Sequence, residues 1–230
     1  MSALDVRAFT VGLVQENSYI VRASPDATRA VFVDPGDEPE RLLEAVDKLG
    51  VEIEAILVTH CHFDHIGAVA PVARATGAPV YCPQLERPLL ADIMQWTPPG
   101  FGPFESYEPE HTVAGGEHLS LAGLELDVIF TPGHSPGHVT YAVRSHAHPA
   151  LLSGDVLFQG SVGRVDLPGG DWATLERSIG TLLDSHPPDT VVYPGHMGVT
   201  TLGRERDTNP FLSELRERVP GTATADSPAA

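Results

Sequence analysis

The run His60-Cys61-His62-Phe63-Asp64-His65 restricts the fold more than any other stretch of this 230-residue chain, because four side chains that bind metals well must reach one point within six residues. The segment before it, Ile53 to Val58, reads as a buried strand, so the run begins where a strand gives way to a loop. In extended backbone alternate side chains share a face, which lets His60, His62 and Asp64 converge while Cys61 and Phe63 point away. Eleven histidines in the whole chain make coincidence a poor explanation of HxHxDH. Cys61, although flanked by candidate ligands, is read as a bystander.

Three further elements each place one candidate ligand directly after a β segment: His134 in TPGHSPG, Asp155 in LLSGD and His196 in VVYPGH. The surrounding Pro and Gly allow tight turns that aim a side chain inward. Seven ligands with one shared carboxylate make two sites: His60, His62 and His134 for one metal, Asp64, His65 and His196 for the other, with Asp155 bridging. The cofactors expected are two divalent ions, zinc first, with iron or manganese as alternatives, because imidazole and carboxylate donors without thiolate do not form a structural Cys-type site. Two metals about 3.5 to 4 Å apart bring a bridging water near neutral pKa and polarise a carbonyl. Asp64 and Asp155 are the carboxylates assigned to catalysis. A thioester suits such a site, since a leaving thiol of pKa roughly 8.5 needs little help from an acid.

The other histidines, His111, His118, His138, His146, His148 and His186, match no ligand position; His138 alone lies near a ligand loop and could orient a ligand. Asn17 and Asp34 are candidates to support the site through hydrogen bonds. Trp96, Phe101, Phe104 and Tyr107 read either as a pocket lid or as a surface loop held down by aromatics.

Around these motifs the chain alternates. VRAFTVG, SYIVRA and AVFVDPG read as strands, followed by a helix from Pro39 to a Gly50 cap. A helix from Gly67 or later ends at Gly77, Val80 to Cys82 is a strand, Leu85 to Met94 a helix, and Trp96 to Pro109 a loop. LSL, LELDVIF, Val139 to Val143, Leu151 to Ser153 and Val191 to Tyr193 are strands, and Trp172 to Leu183 is a helix. Phe211, Leu212 and Leu215 begin an amphipathic turn. The expectation is one domain over residues 1–215 with a disordered tail over 216–230.

THCHFDH, TPGHSPG, SGDVLF and YPGH, in this order, resemble the metallo-β-lactamase superfamily, and GDVLFQGSVGRVDLPGGD followed by GHMGVTTLGRERDTNPFL is similar to its glyoxalase II-type (hydroxyacylglutathione hydrolase) branch. The resemblance spans about residues 6 to 215. It implies an α/β fold, a four-layer αββα sandwich with metals at one edge of two sheets. It also implies hydrolysis of a hydroxyacyl thioester of glutathione, with Arg164, nine positions after the bridging Asp155, contacting the substrate; the same arginine could pair with Asp166 instead. The larger glyoxalase II enzymes add a helical C-terminal region that residues 197–230 do not supply, so contact with glutathione is expected to be modest. Lactone or β-lactam hydrolysis fits the same site. Persulfide dioxygenases share the fold and the Gly-Arg-x-Asp pattern of Gly163 to Asp166, and would use one iron on His60, His134 and Asp155. A glutamate stands where His62 does in flavodiiron proteins, which turns the reading away from that branch.

Fourteen basic against thirty-one acidic residues leave a charge of −17 with no Lys/Arg run, which speaks against nucleic acid as a partner. Two cysteines give no disulfide framework, and no segment is long and apolar enough for a bilayer. The expected partner is a small-molecule substrate, and the expected location the cytoplasm.

Overall fold

The computed structural model describes residues 4–144 and 149–213. His146, His148, Leu215 and the expected tail lie outside them. Two six-stranded sheets form the centre. The first runs β1 (Asp5–Val11), β2 (Glu16–Arg22), β3 (Arg29–Val33), β4 (Glu52–Leu57), β5 (Val80–Pro83) and β6 (His111–Val113) in chain order. The second contains β7 (His118–Leu121), β8 (Leu124–Phe130), β9 (Val139–Val143), β10 (Ala150–Gly154), β13 (Val191–Pro194) and β14 (Thr200–Thr201), ordered β14-β13-β10-β9-β8-β7. A separate hairpin pairs β11 (Leu157–Phe158) with β12 (Ser161–Val162).

The helices are α1 (Pro39–Leu49), α2 (Phe63–Ile66), α3 (Val69–Thr76), α4 (Arg87–Ala91), α5 (Ile93–Trp96), α6 (Trp172–Ser185) and α7 (Leu202–Thr208). Strand periodicity explains the layering. In β3, Val31 and Val33 face the second sheet, whereas Ala30 and Phe32 face α1 and α3. In β10, Ala150 and Leu152 face the first sheet and Leu151 packs on Leu175, Ile179 and Leu182 of α6. The result is three apolar layers separating four layers of structure, the αββα sandwich of the metallo-β-lactamase fold, in one domain. No helix among the described residues is long and apolar enough to cross a membrane.

Most elements follow their sequence signals. Pro39 opens α1, and Gly50 closes it in the left-handed conformation at φ 63° with its N–H on Val46 O. The helix read as one piece from Leu85 to Met94 is two: Asp92, at φ −142° and ψ 60°, separates α4 from α5. The break keeps Leu90 and Ile93 both in the core while the chain turns Trp96 toward the cavity described below.

One ion pair at the start of the first sheet is buried. Asp5 and Arg22 face each other across β1 and β2, with Nε–Oδ2 at 2.7 Å, and Arg7 Nε reaches the other oxygen at 2.9 Å. Burial alone would raise the Asp5 carboxyl, but the Arg22 and Arg7 guanidiniums outweigh it and hold it below 3.8. A depressed folded pKa adds stability above pH 3.8 that is lost as the pH falls through the folded value. Asp5→Asn should therefore cost about 3 kcal/mol at pH 7, because Arg22 is left buried without its charge partner. The gap from wild type should close in acid. Urea unfolding at both pH values checks this, and equal stability at pH 7 would refute it.

Candidate metal centre

β8 and β10 are both antiparallel to β9, and β13 is parallel to β10, so β8, β10 and β13 end at the same edge of their sheet. β3, β4 and β5 are likewise parallel in theirs. The chain leaving β4 carries His60 and His62, α2 carries Asp64 and His65, the turn after β8 carries His134, and Asp155 and His196 follow β10 and β13. The structure brings all seven together. The extended-backbone argument holds for His60 and His62 only: Asp64 and His65 sit in a helical turn, whose compact rise turns two consecutive side chains into the cluster.

Hydrogen bonds fix which ring nitrogen faces inward. His134 Nδ1 lies 2.8 Å from Arg164 O, a pure acceptor, so Nδ1 carries the proton and Nε2 a lone pair. Thr59 Oγ1 donates to Asp34 Oδ2 at 2.5 Å, which leaves it to accept from His60 Nδ1 at 3.1 Å; His60 Nε2 therefore also presents a lone pair. These two nitrogens are 3.2 Å apart, and His62 Nδ1 stands 3.1 and 2.8 Å from them. Three nitrogens thus converge with at most one proton among them.

A second group adjoins the first. His196 Nδ1 faces Gln15 O at 3.3 Å, and its Nε2 lies 3.2 Å from Asp64 Oδ2 and 3.5 Å from Asp155 Oδ2. His65 Nδ1 faces Asp34 at 3.0 Å, while its Nε2 looks at Asp155 Oδ1, 3.4 Å away. His65 Nε2 and Asp155 Oδ1 are both buried and lack hydrogen-bond partners. Asp155 Oδ2 is also 3.4 Å from His134 Nε2, so this carboxylate touches both groups.

The electrostatics agree. Burial works against charge on Asp155, yet His65, His134 and His196 hold its carboxyl well below the usual range. Burial likewise opposes the charged form of His65, and the Asp155 and Asp64 carboxylates nonetheless raise it well above 6.5. Burial and the neighbouring His134 push His62 down to about 4. Converging lone pairs beside buried carboxylates are a donor set that a cation satisfies and protons alone do not, so the residues fit divalent metal. Three groups of donors lie within 4.8 Å of one another: His60, His62 and His134; Asp64, His65 and His196; and Asp34, His60 and His65. In the last, Asp34 already accepts from Thr59 N and Oγ1 and from His65. It orients His65 from behind, from a left-handed backbone at φ 47°.

Supporting residues divide into those the sequence suggested and those it did not. His138 is buried beside the cluster, stacks on His60, and accepts the Asp155 N–H at 3.0 Å. Asn17 donates to Pro194 O and Met197 O, pinning the His196 turn. Gly195 is required there, because a Cβ would strike Asp155 Oδ1 and His65 Cε1. Cys61 points away from the metal donors, 3.5 Å from Cys82 Sγ, and burial pushes its thiol up. His111, His118 and His186 make contacts elsewhere.

The sequence reading missed Glu86. Buried after β5, its carboxylate accepts from Cys61 N at 3.1 Å, Ser135 Oγ at 2.7 Å and Gly137 N at 2.7 Å, tying the His60–His62 loop to the His134 loop. No motif marks a lone glutamate 25 residues from one of the loops it joins and 49 to 51 from the other. Glu86→Ala strands buried donors, so it should cost about 2–4 kcal/mol. It should also weaken metal binding by ~10–100-fold, as for other groups that orient ligands, with Glu86→Gln milder in both. Denaturant unfolding and a competitive chelator titration read the two effects; an unchanged chelator titration would remove Glu86 from the site.

Above the cluster opens a cavity of about 470 Å³. Trp96 and Pro98 from the 96–109 loop line it, whereas Phe101 and Phe104 pack on Phe63. Arg164 reaches the cavity too, but its Nε and Nη2 lie 2.6 and 2.7 Å from the two oxygens of Asp166, a bidentate pair that pulls the Asp166 carboxyl down to about 2.

Residues 11–196 match the family model described as the Metallo-beta-lactamase superfamily. The chain is 39% identical over 212 residues to the "Probable metallo-hydrolase YqgX" of Bacillus subtilis, covering 90% of this chain and 97% of that one. It is 32% identical over 213 residues to "Hydroxyacylglutathione hydrolase GloC" of Haemophilus influenzae, covering 91% and 99%. Among solved structures, the BLEG-1 B3 metallo-beta-lactamase superposes with a TM-score of 0.84 at 38% identity, covering 91% of this chain and 100% of that one. TTHA1623 in a di-iron-bound form gives 0.72 at 44% identity, covering 90% and 100%.

Proposed function

The chain belongs to the metallo-beta-lactamase superfamily, and from that premise we propose that this metallo-hydrolase cleaves thioesters at a two-metal centre, with S-lactoylglutathione as the first substrate to test. His60, His62 and His134 would hold one ion and Asp64, His65 and His196 the other, with Asp155 placed to serve both groups. The observation that carries this reading is the convergence of donors: the nitrogens of His60, His62 and His134 lie within 3.2 Å of one another, and Asp155 Oδ2 stands 3.4 Å from His134 and 3.5 Å from His196 of the adjoining group. Two divalent ions there supply an acidified water and a polarised substrate carbonyl. The chain's own groups fix the donors: the Asp34 carboxylate, the Thr59 hydroxyl and the backbone carbonyls of Arg164 and Gln15 each orient one imidazole from behind.

Water adds its oxygen to the acyl carbon, the C–S bond breaks, and an acid and a thiol leave. The thiol departs as thiolate without a strong acid, which suits a cavity floor made of metal donors. The GloC relative, matched almost end to end, supports the thioester class. Zinc suits the nitrogen and oxygen donors, while the di-iron TTHA1623 neighbour makes iron the second metal to try. A persulfide dioxygenase would need only His60, His134 and Asp155, which leaves the second donor group unused.

Metal analysis with parallel assays tests the proposal. Close to two ions per chain and turnover of a thioester are expected. One iron per chain, with oxygen consumed on a persulfide and no thioester cleaved, would overturn it.

A further inference from the structure

We propose that the cavity selects uncharged, apolar thioesters over the anionic thioesters of glutathione; this rests on the thioester-hydrolase reading above. Three large apolar side chains are exposed at its mouth: Leu85 at 63%, Trp96 at 52% and Val14 at 39%. Exposed apolar residues scattered singly mean little, but a group around one opening marks a surface kept for binding. Phe63, Leu89 and Leu167 continue the apolar lining inward. The volume suits a small molecule.

Charge argues the same way. Among the described residues lining the cavity, Arg164 is the one Lys or Arg. Two of its donors, Nε and Nη2, are already engaged by Asp166 in a solvent-exposed pair. A glutathione carboxylate would have to compete with Asp166 for this arginine or lose its water against apolar walls. The chain's charge of −17 adds a general repulsion of anions. An apolar group on the leaving thiol meets none of these obstacles and gains the rim and walls. The polar end of such a substrate, its thioester carbonyl, is the part that reaches the cluster.

The test uses the metal-loaded enzyme and three lactoyl thioesters that differ only in the thiol: glutathione, N-acetylcysteamine and benzyl mercaptan. The expected kcat/KM rises in that order, by roughly tenfold or more from first to last. Trp96→Ala should lower it roughly tenfold for the benzyl thioester and leave the glutathione thioester within about twofold. Asp166→Asn should raise the glutathione thioester by freeing Arg164.

Binding is read separately with uncleavable analogues, S-(2-oxopropyl)glutathione and benzyl 2-oxopropyl thioether. Quenching of Trp96 fluorescence in a Trp172→Phe background reports it, since these are the chain's two tryptophans. Tighter binding of the benzyl compound is expected. Equal or better turnover and binding of the glutathione compounds would overturn the selectivity and leave the hydrolase reading intact. Tight benzyl binding with no thioester cleaved would do the reverse.

Discussion

Asp155→Ala is expected to abolish turnover by ~10³-fold or more, beyond the ~10–100-fold typical of residues that only orient a ligand. Asp155 is a carboxylate that reaches both donor groups: its Oδ2 lies 3.4 Å from His134 and 3.5 Å from His196, and its Oδ1 3.4 Å from His65. Its backbone N–H is held by His138, so the carboxylate is placed by the fold and not by its neighbours in the cluster. Removing it should lower occupancy at both metals together. His196→Ala removes a nitrogen that, among the carboxylates of the cluster, faces Asp64 and Asp155, and should mainly empty the second. Metal content by elemental analysis and kcat on a thioester are the readouts. An Asp155→Ala protein that keeps both ions, or loses only one, would end the bridging assignment.

The second large effect concerns metal removal. A ligand that binds the folded state alone stabilises it by about 2.7 kcal/mol at a concentration 100-fold above its dissociation constant, so two such sites contribute about 5 kcal/mol. For a chain of this size that corresponds to roughly 10–20 °C in Tm. Chelation should therefore lower the melting temperature by that amount, and readdition of zinc should restore it. The cause is visible in the cluster: stripped of cations, His65 Nε2 and Asp155 Oδ1 remain buried without partners, and the nitrogens of His60, His62 and His134 crowd within 3.2 Å. An apo protein with the melting temperature of the loaded one would show that the cluster is satisfied without metal.

Much of this site was legible before any coordinates. HxHxDH places four candidate donors by covalent spacing alone, and Pro-Gly turns after β segments flag His134 and His196, since a chain that must reverse direction at a strand end needs those residues. The segments that became β3 and β10 were legible as strands, because short apolar runs bounded by turn residues are a local signal. Most of what escaped was too short to show a period: α2, β6, β11, β12 and β14 have two to four residues each, and the seven-residue α7 was missed as well. Asp64 reached the cluster as foreseen, although through a helical turn and not an extended strand.

Residue identity and spacing by themselves carried the family resemblance, which in turn implied the layered fold, and marked the seven candidate donors, because these depend on chemistry carried by each segment separately. Tertiary structure alone decided how the donors are aimed. Which imidazole nitrogen faces inward depends on Arg164 O, Gln15 O, Thr59 and Asp34, groups brought beside each ring by folding, up to 181 positions away in the chain. Glu86 joining two loops and Asp166 engaging Arg164 are also contacts that only geometry reveals: an ionisable side chain looks the same in sequence whether it is free or engaged, and its partner is set by distance in space.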